Sequence, residues 1–350
     1  VASFENGRLE VTTTAQHPFM VRTDLARIFN LPLTRVSVSV PYHGGGYGSK
    51  SYTKVEPLAA VGSWITGRPV KLTLDVEEAI YTTRVDSSDV VVRSGFDQHG
   101  MLQFRDFDIV LDSGAYADNS PLVIAKAVNR CFGPYRVPHL RVNGRSVYTN
   151  TSPASSYRGF GTSQGASAGE LNMDQAASAL GIDPFELRRR NVVRPGEEIL
   201  PGKRGLDADI AADLDMLEAS LRKDERQETG YAIGVACTAS DAGAFPVSTA
   251  QIRIQTDGSV VVASGSTEMG QGSRSALAQI AGEELGIELS AVEVLQAGST
   301  GPYERTAGAS RTRLLVGIAV QRACADARAK LAEMAAEITG TTVDSWSASD

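Results

Sequence analysis

The sequence predicts an α+β protein with two similar mixed α/β subdomains that arise from an internal repeat. The turn Asn6-Gly7 opens a strand pattern, and a loop, a helical pattern and a second strand pattern around Val36 follow. The same order begins at Asp257-Gly258 and ends around Val292. Corresponding glycines and valines lie 251 and 256 residues apart, so the second copy carries five more residues. Such a repeat predicts two subdomains that face one another, with a ligand between their loops.

Composition narrows the classes of function. The 350 residues, 42% of them hydrophobic, are enough for folded cores in two or three domains. A net charge of −7 without clustered Lys and Arg argues against a nucleic-acid partner. No apolar stretch approaches about eighteen residues, so we expect no membrane span. Without a disulfide framework or a visible secretory signal, we expect a cytoplasmic protein. The three cysteines and four histidines are widely spaced, which argues against disulfides, Cys-x-x-Cys clusters and a zinc site.

The first half of the chain contains further patterns. A helical stripe runs from Val55 to Ile65, and the alternating segment Val70 to Asp75 predicts a strand. Residues Val90 to Asp112 predict two strands around a turn at Gln98 to Gly100.

Helix signals dominate the middle of the chain. A helical pattern from Gln164 ends at Gly181, and Asp183 then provides an N-cap for a second helix. The run Arg188 to Arg190 is typical of the solvated last turn of a helix. A charged segment rich in Pro and Gly predicts a linker at 201–229, between a first subdomain at 1–200 and a second at 230–350. A long helix is predicted from Arg313 to Ile338.

Three glycine-rich loops are the candidate binding elements. Gly265, Gly270 and Gly272 precede a helical pattern, and such a junction suits an anionic or multiply hydrogen-bonding ligand. A second loop, Gly44 to Lys50, follows a strand pattern. In the third, Arg158 stands between two aromatic residues, an arrangement that suits either the clamping of a planar or anionic group or a stacked surface arginine.

Five motifs together resemble one family, the molybdenum-binding subunit of xanthine dehydrogenases and aldehyde oxidases. They occur in the family's order across nearly the whole chain: GGGYGSK (44–50), SYRGFGTSQ (156–164), LGIDPFELRRRN (180–191), GSTEMGQGSR (265–274) and TAGASRTR (306–313). The resemblance implies the molybdenum cofactor-binding type of α+β fold. It also implies molybdenum held through a pterin, without protein ligands to the metal.

The activity implied by the resemblance is hydroxylation of an aldehyde or an N-heterocyclic carbon, with oxygen from water. Electrons would pass to iron–sulfur clusters and FAD on other domains or subunits, in an oligomer of heteromeric units. The cofactor is implied to be molybdenum-molybdopterin, either as the plain pterin or in a cytosine dinucleotide form.

Site residues follow from the resemblance position by position. Gln16 matches the glutamine that hydrogen-bonds the metal's oxo group, and Arg158 matches the arginine beside the substrate. Tyr47 and Phe245 are further candidate substrate contacts. The residues that match cofactor contacts are Gly45, Gly46, Tyr47, Met269, Gly270, Gln271, Gly272, Ala309, Ser310 and Thr312.

Three departures from the family pattern refine these expectations. Ser51 stands where xanthine-using members have glutamate, which argues against purines, and Gly159 stands where carbon monoxide-oxidising relatives have cysteine. The catalytic glutamate of the family's late Gly-Glu motif has no match before Asp350, and the small domain that precedes the first repeat is missing. We therefore expect a fragment or one piece of a split subunit that does not turn over alone.

Two other functions are compatible with the glycine loops. One is a non-catalytic module that binds a pterin or a nucleotide. The other is a P-loop nucleotidase, because Lys50-Ser51 follows a strand and a glycine-rich turn. Ser49 stands where a P-loop requires glycine, which argues against the nucleotidase.

Overall fold

The computed structural model describes residues 1–202, 204–222, 230–240 and 247–343. Within those ranges, no helix is both long and apolar enough to cross a membrane. In chain order the strands and helices are β1 (Ala2–Glu5), β2 (Arg8–Thr12), α1 (Pro18–Ile28), β3 (Val36–Ser39), α2 (Glu56–Thr66), α3 (Val76–Thr82), β4 (Arg84–Val85), β5 (Ser87–Phe96), β6 (Leu102–Gly114), α4 (Ser120–Val128), β7 (His139–Tyr148), β8 (Ala154–Ser155), α5 (Thr162–Leu180), α6 (Pro184–Asn191), α7 (Ile210–Arg222), β9 (Ala250–Ile254), β10 (Val260–Ser264), α8 (Ser273–Leu285), β11 (Val292–Val294) and α9 (Gly317–Thr339).

The chain forms two compact units. The first combines Val1–Glu78 with Asp241–Asp350, and the second is Ala79–Ser240. The division predicted from the sequence, with a linker at 201–229, cuts the chain into consecutive segments and does not describe which residues pack together. It stays a prediction. Helix α7 lies inside the predicted linker.

The internal repeat forms two sheets of the same topology in the first unit. In one, β2 pairs antiparallel with β1 and parallel with β3, and Leu9 lies opposite Val36. In the other, β10 pairs antiparallel with β9 and parallel with β11, and Val260 lies opposite Val292. A helix, α1 or α8, connects the two parallel strands of each copy. The predicted repeat is confirmed down to the pairing of the valines that defined it.

Each copy of the repeat has its own core. In the first, apolar residues of the sheet and of α1 and α2 pack together, among them Leu9, Val21, Leu25 and Ala60. In the second, α8 and α9 cover the sheet through Val262, Leu277, Val320 and Cys324. Because these side chains recur on one face of each helix and each strand, burial of that face stabilises both elements together.

The second unit is built on the sheet β5-β6-β7. Its first two strands form the hairpin expected around Gln98 to Gly100. Alternate residues of β6, including Phe107, Ile109 and Leu111, are fully buried in an apolar core with residues of α4. A polar residue of the same strand, Asp106, forms ion pairs with arginines on β5 and β7.

Most of the sequence-predicted helices are present, whereas the strand predicted at Val70 to Asp75 is wrong. Helix α5 ends at a left-handed Gly181, and Asp183 caps α6 by accepting hydrogen bonds from two backbone N–H groups. Val70 forms only an isolated bridge with Ala2. The residues that follow have no partner strand among the described residues, and Asp75 instead begins helix α3 through a reciprocal capping box with Glu78.

The expectation of a solvated arginine run at the end of α6 is also wrong for its first member. The side chain of Arg188 is completely buried and pairs with Glu170 at 2.9 Å and with Asp174 at 2.8 Å. Glu170 also accepts hydrogen bonds from the Tyr135 hydroxyl and from the Cys237 N–H. A periodic pattern does not reveal this pairing, because the acidic partners lie on a different helix.

Removal of Glu170 tests whether this buried network stabilises the second unit. We expect Glu170→Ala to lower the free energy of unfolding by about 3 kcal/mol, because Arg188 would lose its buried partner. Asp207→Ala, which removes an exposed partner of Arg204, is the control and should leave stability unchanged. The measurement is urea unfolding followed by circular dichroism, and equal losses in both variants would contradict the interpretation.

Candidate cofactor site

Gln16 connects three segments of the first unit. Its backbone N–H donates to the Lys50 carbonyl at 2.8 Å, and its carbonyl accepts from the Ala307 N–H at 2.9 Å. Its side-chain Nε2 donates to the Ala307 carbonyl at 2.7 Å, and Oε1 accepts from the Gly48 N–H at 3.1 Å. With only 4% of its surface exposed, Gln16 holds together the loops at residues 44–50 and 306–313, which follow the first and second copies of the repeat.

The glycine loop at residues 44–50 fits closely around this glutamine. A Cβ at Gly46 would collide with Gln16 Oε1, and a Cβ at Gly45 would lie 2.6 Å from Tyr47 Cε2. Tyr47 itself has a left-handed backbone, φ 50°, and a side chain that is 61% exposed. Packing against the buried Gln16 therefore requires glycine at position 46, whereas the exposed Tyr47 ring could move away from a Cβ at position 45.

Lys50 lies differently from the lysine of a P-loop. Its Nζ donates to the Gly44 carbonyl at 3.0 Å, and burial lowers its pKa. Helix α2 begins only at Glu56. In a P-loop the helix begins at the lysine, where its N–H groups surround the phosphates. The geometry therefore provides no support for the nucleotidase.

The glycine loop at residues 265–272 is stabilised by hydrogen bonds from its own side chains. Gln271 Oε1 accepts from the Met269 N–H at 2.7 Å, and Nε2 donates to the Thr267 carbonyl at 2.8 Å. Gly270 and Gly272 have left-handed backbones, and apart from their neighbours in the chain no atom of the described residues lies within 4 Å of the position that a Cβ would take. Space beside these glycines is open to a ligand.

The loop at residues 306–313 contains strained backbone. Ala309 and Ser310 both have φ above 50°, a conformation that costs non-glycine residues about 1–2 kcal/mol each. An ion pair closes the loop: Arg311 Nη1 lies 2.9 Å from Glu304 Oε1, and each side chain is only 1% exposed. Thr312 then begins a π-helical turn that leads into α9. Adjacent strained residues and a π turn are typical of functional sites.

His17 follows Gln16 and is held neutral. Burial, together with the positive charges of Arg305 and Arg311, lowers its pKa to about 4. No pattern in the sequence pointed to this residue, because both arginines are distant along the chain.

Four buried polar atoms near the three loops have no hydrogen-bond partner among the described residues. They are His43 Nε2, Ser266 Oγ, Thr267 Oγ1 and Thr306 Oγ1. Each unsatisfied buried group costs about 1–3 kcal/mol. A ligand with several donors and acceptors would satisfy them.

The remaining sequence-predicted residues are placed as follows. Arg158 belongs to the second unit, where it is exposed on a turn after β8. Within that turn the Phe160 N–H donates to the Tyr157 carbonyl at 2.7 Å, and Gly159 and Phe160 are both left-handed. Phe245 lies outside the described residues. The structure thus brings Gln16 together with the loops at residues 44–50 and 306–313 of the first unit.

Comparison with known proteins identifies the family. Models of the molybdopterin cofactor-binding domain match residues 1–192 and 209–350. The chain belongs to the molybdopterin cofactor-binding domain family. The family resemblance inferred from the five motifs is confirmed.

Three similar proteins are named as oxidoreductases or as the molybdenum-binding subunit of one. A xanthine dehydrogenase molybdenum-binding subunit from Escherichia coli O157:H7 is 30% identical over 91% of this chain and 45% of its own length. Quinoline 2-oxidoreductase from Pseudomonas putida 86 is 29% identical with a TM-score of 0.88, covering 98% of this chain and 48% of that one. Aldehyde oxidoreductase from Desulfovibrio gigas is 25% identical with a TM-score of 0.83, covering 93% and 38%. The chain spans less than half the length of each of these relatives.

Replacement of His17 tests whether its lowered pKa makes the stability of the protein depend on pH. Between pH 6.5 and about 4 the unfolded chain binds a proton at His17 that the folded chain does not, so stability falls as the pH falls. We expect wild type to lose about 1–2 kcal/mol more than His17→Asn between pH 6.5 and pH 5. His17 makes no side-chain cap hydrogen bond at the start of α1, and asparagine is an uncharged residue that suits an N-cap position.

Urea unfolding at the two pH values measures this difference. His139→Asn, which replaces an exposed histidine on β7, is the control and should behave as wild type does. Parallel losses in wild type and His17→Asn would show that His17 does not titrate in this way.

Proposed function

We propose that this chain forms the cofactor-binding part of a molybdenum hydroxylase. The cofactor is molybdenum-molybdopterin, and the substrate is an aldehyde or an N-heterocycle that is hydroxylated with oxygen from water. The names of two relatives, a quinoline 2-oxidoreductase and an aldehyde oxidoreductase, support these two substrate classes. Ser51 and Gly159 continue to argue against purines and carbon monoxide.

The observation that carries the proposal is that Gln16 joins the loops at residues 44–50 and 306–313, while Glu268 of the loop at residues 265–272 is hydrogen-bonded to His43. Four unsatisfied buried polar atoms and two open glycines accompany those loops among the described residues. A pterin ring has many donors and acceptors, so the residues present fit it. The proposed contacts are Gly45, Gly46, Tyr47, Met269, Gly270, Gln271, Gly272, Ala309, Ser310 and Thr312.

The proposed role of Gln16 is that of a fixed hydrogen-bond donor. When bound, the cofactor supplies two-electron oxidation of the substrate carbon. A side-chain amide nitrogen carries two hydrogens, and Ala307 accepts one of them. The second can be directed at an oxygen of the cofactor. Because Gln16 is already held by four hydrogen bonds, it needs no reorganisation during the reaction.

Substrate contacts are proposed for Arg158, Tyr47 and Phe245. The guanidinium of Arg158 is always charged and planar, so it can hold an anionic or aromatic substrate in one orientation. Tyr47 provides an exposed aromatic ring on the glycine loop at residues 44–50. Such side chains act by binding and orienting the reacting carbon.

Further parts of the proposed assembly lie outside this chain. Several relatives are named as subunits of larger enzymes. We propose iron–sulfur and FAD domains or subunits as electron acceptors, in a heteromeric oligomer. A cytosine dinucleotide form of the cofactor is also proposed.

Molybdenum content tests the proposal. The polypeptide, expressed with its natural flanking sequence and partner subunits in a host that makes the cofactor, should contain about one molybdenum per chain by elemental mass spectrometry. Gly270→Val should lower that content several-fold, because valine closes the open space and resists a φ of 100°. Gly258→Val, at an exposed left-handed turn, is the matched control.

The nucleotide released on denaturation identifies the tail of the cofactor. A folded, complete assembly without molybdenum would contradict the hydroxylase and favour a non-catalytic binding module. Equal losses in both valine variants would remove Gly270 from the proposed cofactor contacts.

A further inference from the structure

The carboxylate of Glu268 accepts four hydrogen bonds from the start of α8. Oε1 accepts from the N–H groups of Gly270 at 2.8 Å and Gly272 at 3.1 Å. Oε2 accepts from the Ser273 hydroxyl at 2.9 Å and the Arg274 N–H at 3.2 Å. We name these four donors the α8 anion seat.

The seat has the properties of a site for an external anion. It consists mainly of backbone N–H groups at the N-terminus of a 13-residue helix, where the helix dipole is positive. Helix α8 has no acidic residue in its own first turn. Glu268, from the preceding loop, therefore supplies the negative charge that stabilises this terminus.

Glu268 is held in the ionised form. Burial acts to raise its pKa, but the hydrogen bonds from Arg274, Ser273 and the two glycines outweigh burial, so the pKa lies below its ordinary value. A charged carboxylate accepts all four donors at once, whereas a protonated one would place a hydrogen against them.

The backbone of Glu268 extends the connection to the segment that follows the first copy of the repeat. Its carbonyl accepts from the His43 N–H at 3.4 Å, and His43 Nδ1 lies 2.8 Å from the Gly44 carbonyl, as a donor to it. Glu268 thus contacts its own glycine loop and His43, the residue that precedes the glycine loop at residues 44–50. Its side chain fixes the backbone of Gly270 and Gly272, which are proposed cofactor contacts.

We propose that Glu268 is a positioning residue whose carboxylate permanently fills the α8 anion seat. The seat is then closed to the anionic groups of the cofactor, and the Met269–Gly272 loop is held ready to contact the pterin through its other groups. The sequence indicated that this junction suits an anionic ligand, and the structure assigns the chain's own Glu268 to that role. The positioning role rests on the proposed function, but the filling of the seat does not.

Chemical rescue by a small anion tests the filling of the seat. Glu268→Ala leaves the four donors without an acceptor, so its melting temperature should fall by several degrees. Sodium acetate, compared with sodium chloride at equal ionic strength, should restore a large part of that loss in Glu268→Ala. It should have no such effect on wild type or on Glu283→Ala, which removes an exposed acid from the same helix. Inorganic phosphate provides a second probe.

Molybdenum content of the full assembly tests the positioning role. We expect at least a threefold loss in Glu268→Ala and none in Glu283→Ala. Glu268→Gln, which keeps the size but turns an amide N–H₂ toward the donors, should lose molybdenum as well, and it replaces the alanine variant if that variant does not fold. Acetate rescue of that glutamine variant is not expected, because its side chain still occupies the space.

The two measurements separate the possible failures. Acetate effects that are equal in wild type and Glu268→Ala would overturn the filling of the seat. Wild-type molybdenum content in both Glu268 variants would overturn the positioning role. Absence of molybdenum from the wild-type assembly would instead overturn the proposed function, and the acetate result would still stand.

Discussion

The arrangement of the candidate site depends on the hydrogen bonds of Gln16. The backbone and side chain of this one buried residue contact the glycine loop at residues 44–50. They also contact Ala307, which lies 291 residues further along the chain. A buried amide whose partners were removed would retain the full desolvation cost of its polar groups. The two loops are therefore kept in place together, and Gly46 must lack a side chain so that the glutamine fits between them.

Much of the fold could be predicted because the same sequence signals for turns, strands and helices occur in both copies of the repeat. The glycines at 7 and 258 and the valines at 36 and 292 mark equivalent turns and strands, and their pairing in the structure is equivalent as well. The predictions were wrong where a residue distant along the chain determines the local structure. Val70 has strand character but pairs only with Ala2 among the described residues. Arg188 belongs to a charged run, yet its side chain is buried and forms an ion pair with Glu170.

The candidate site was predictable to the level of its loops but not of its contacts. Glycine-rich motifs indicated where the backbone approaches a ligand, because only glycine readily tolerates the open left-handed positions at 270 and 272. The ion pair of Glu304 and Arg311 could not be predicted, since its members lie in an irregular loop without a periodic pattern. Glu268 did carry a signal in hindsight: it is an acid just before a glycine-bounded helix start.

The most direct test is amide hydrogen exchange in Gln16→Ala, followed by mass spectrometry. If Gln16 joins the loops, the peptide containing Gly48 should exchange roughly tenfold faster than in wild type, because its N–H loses a hydrogen bond worth about 1–1.5 kcal/mol. Peptides from the β5-β6 hairpin provide the internal reference and should not change. Unchanged exchange at Gly48 would contradict the account, because the loop would then be held by something other than Gln16.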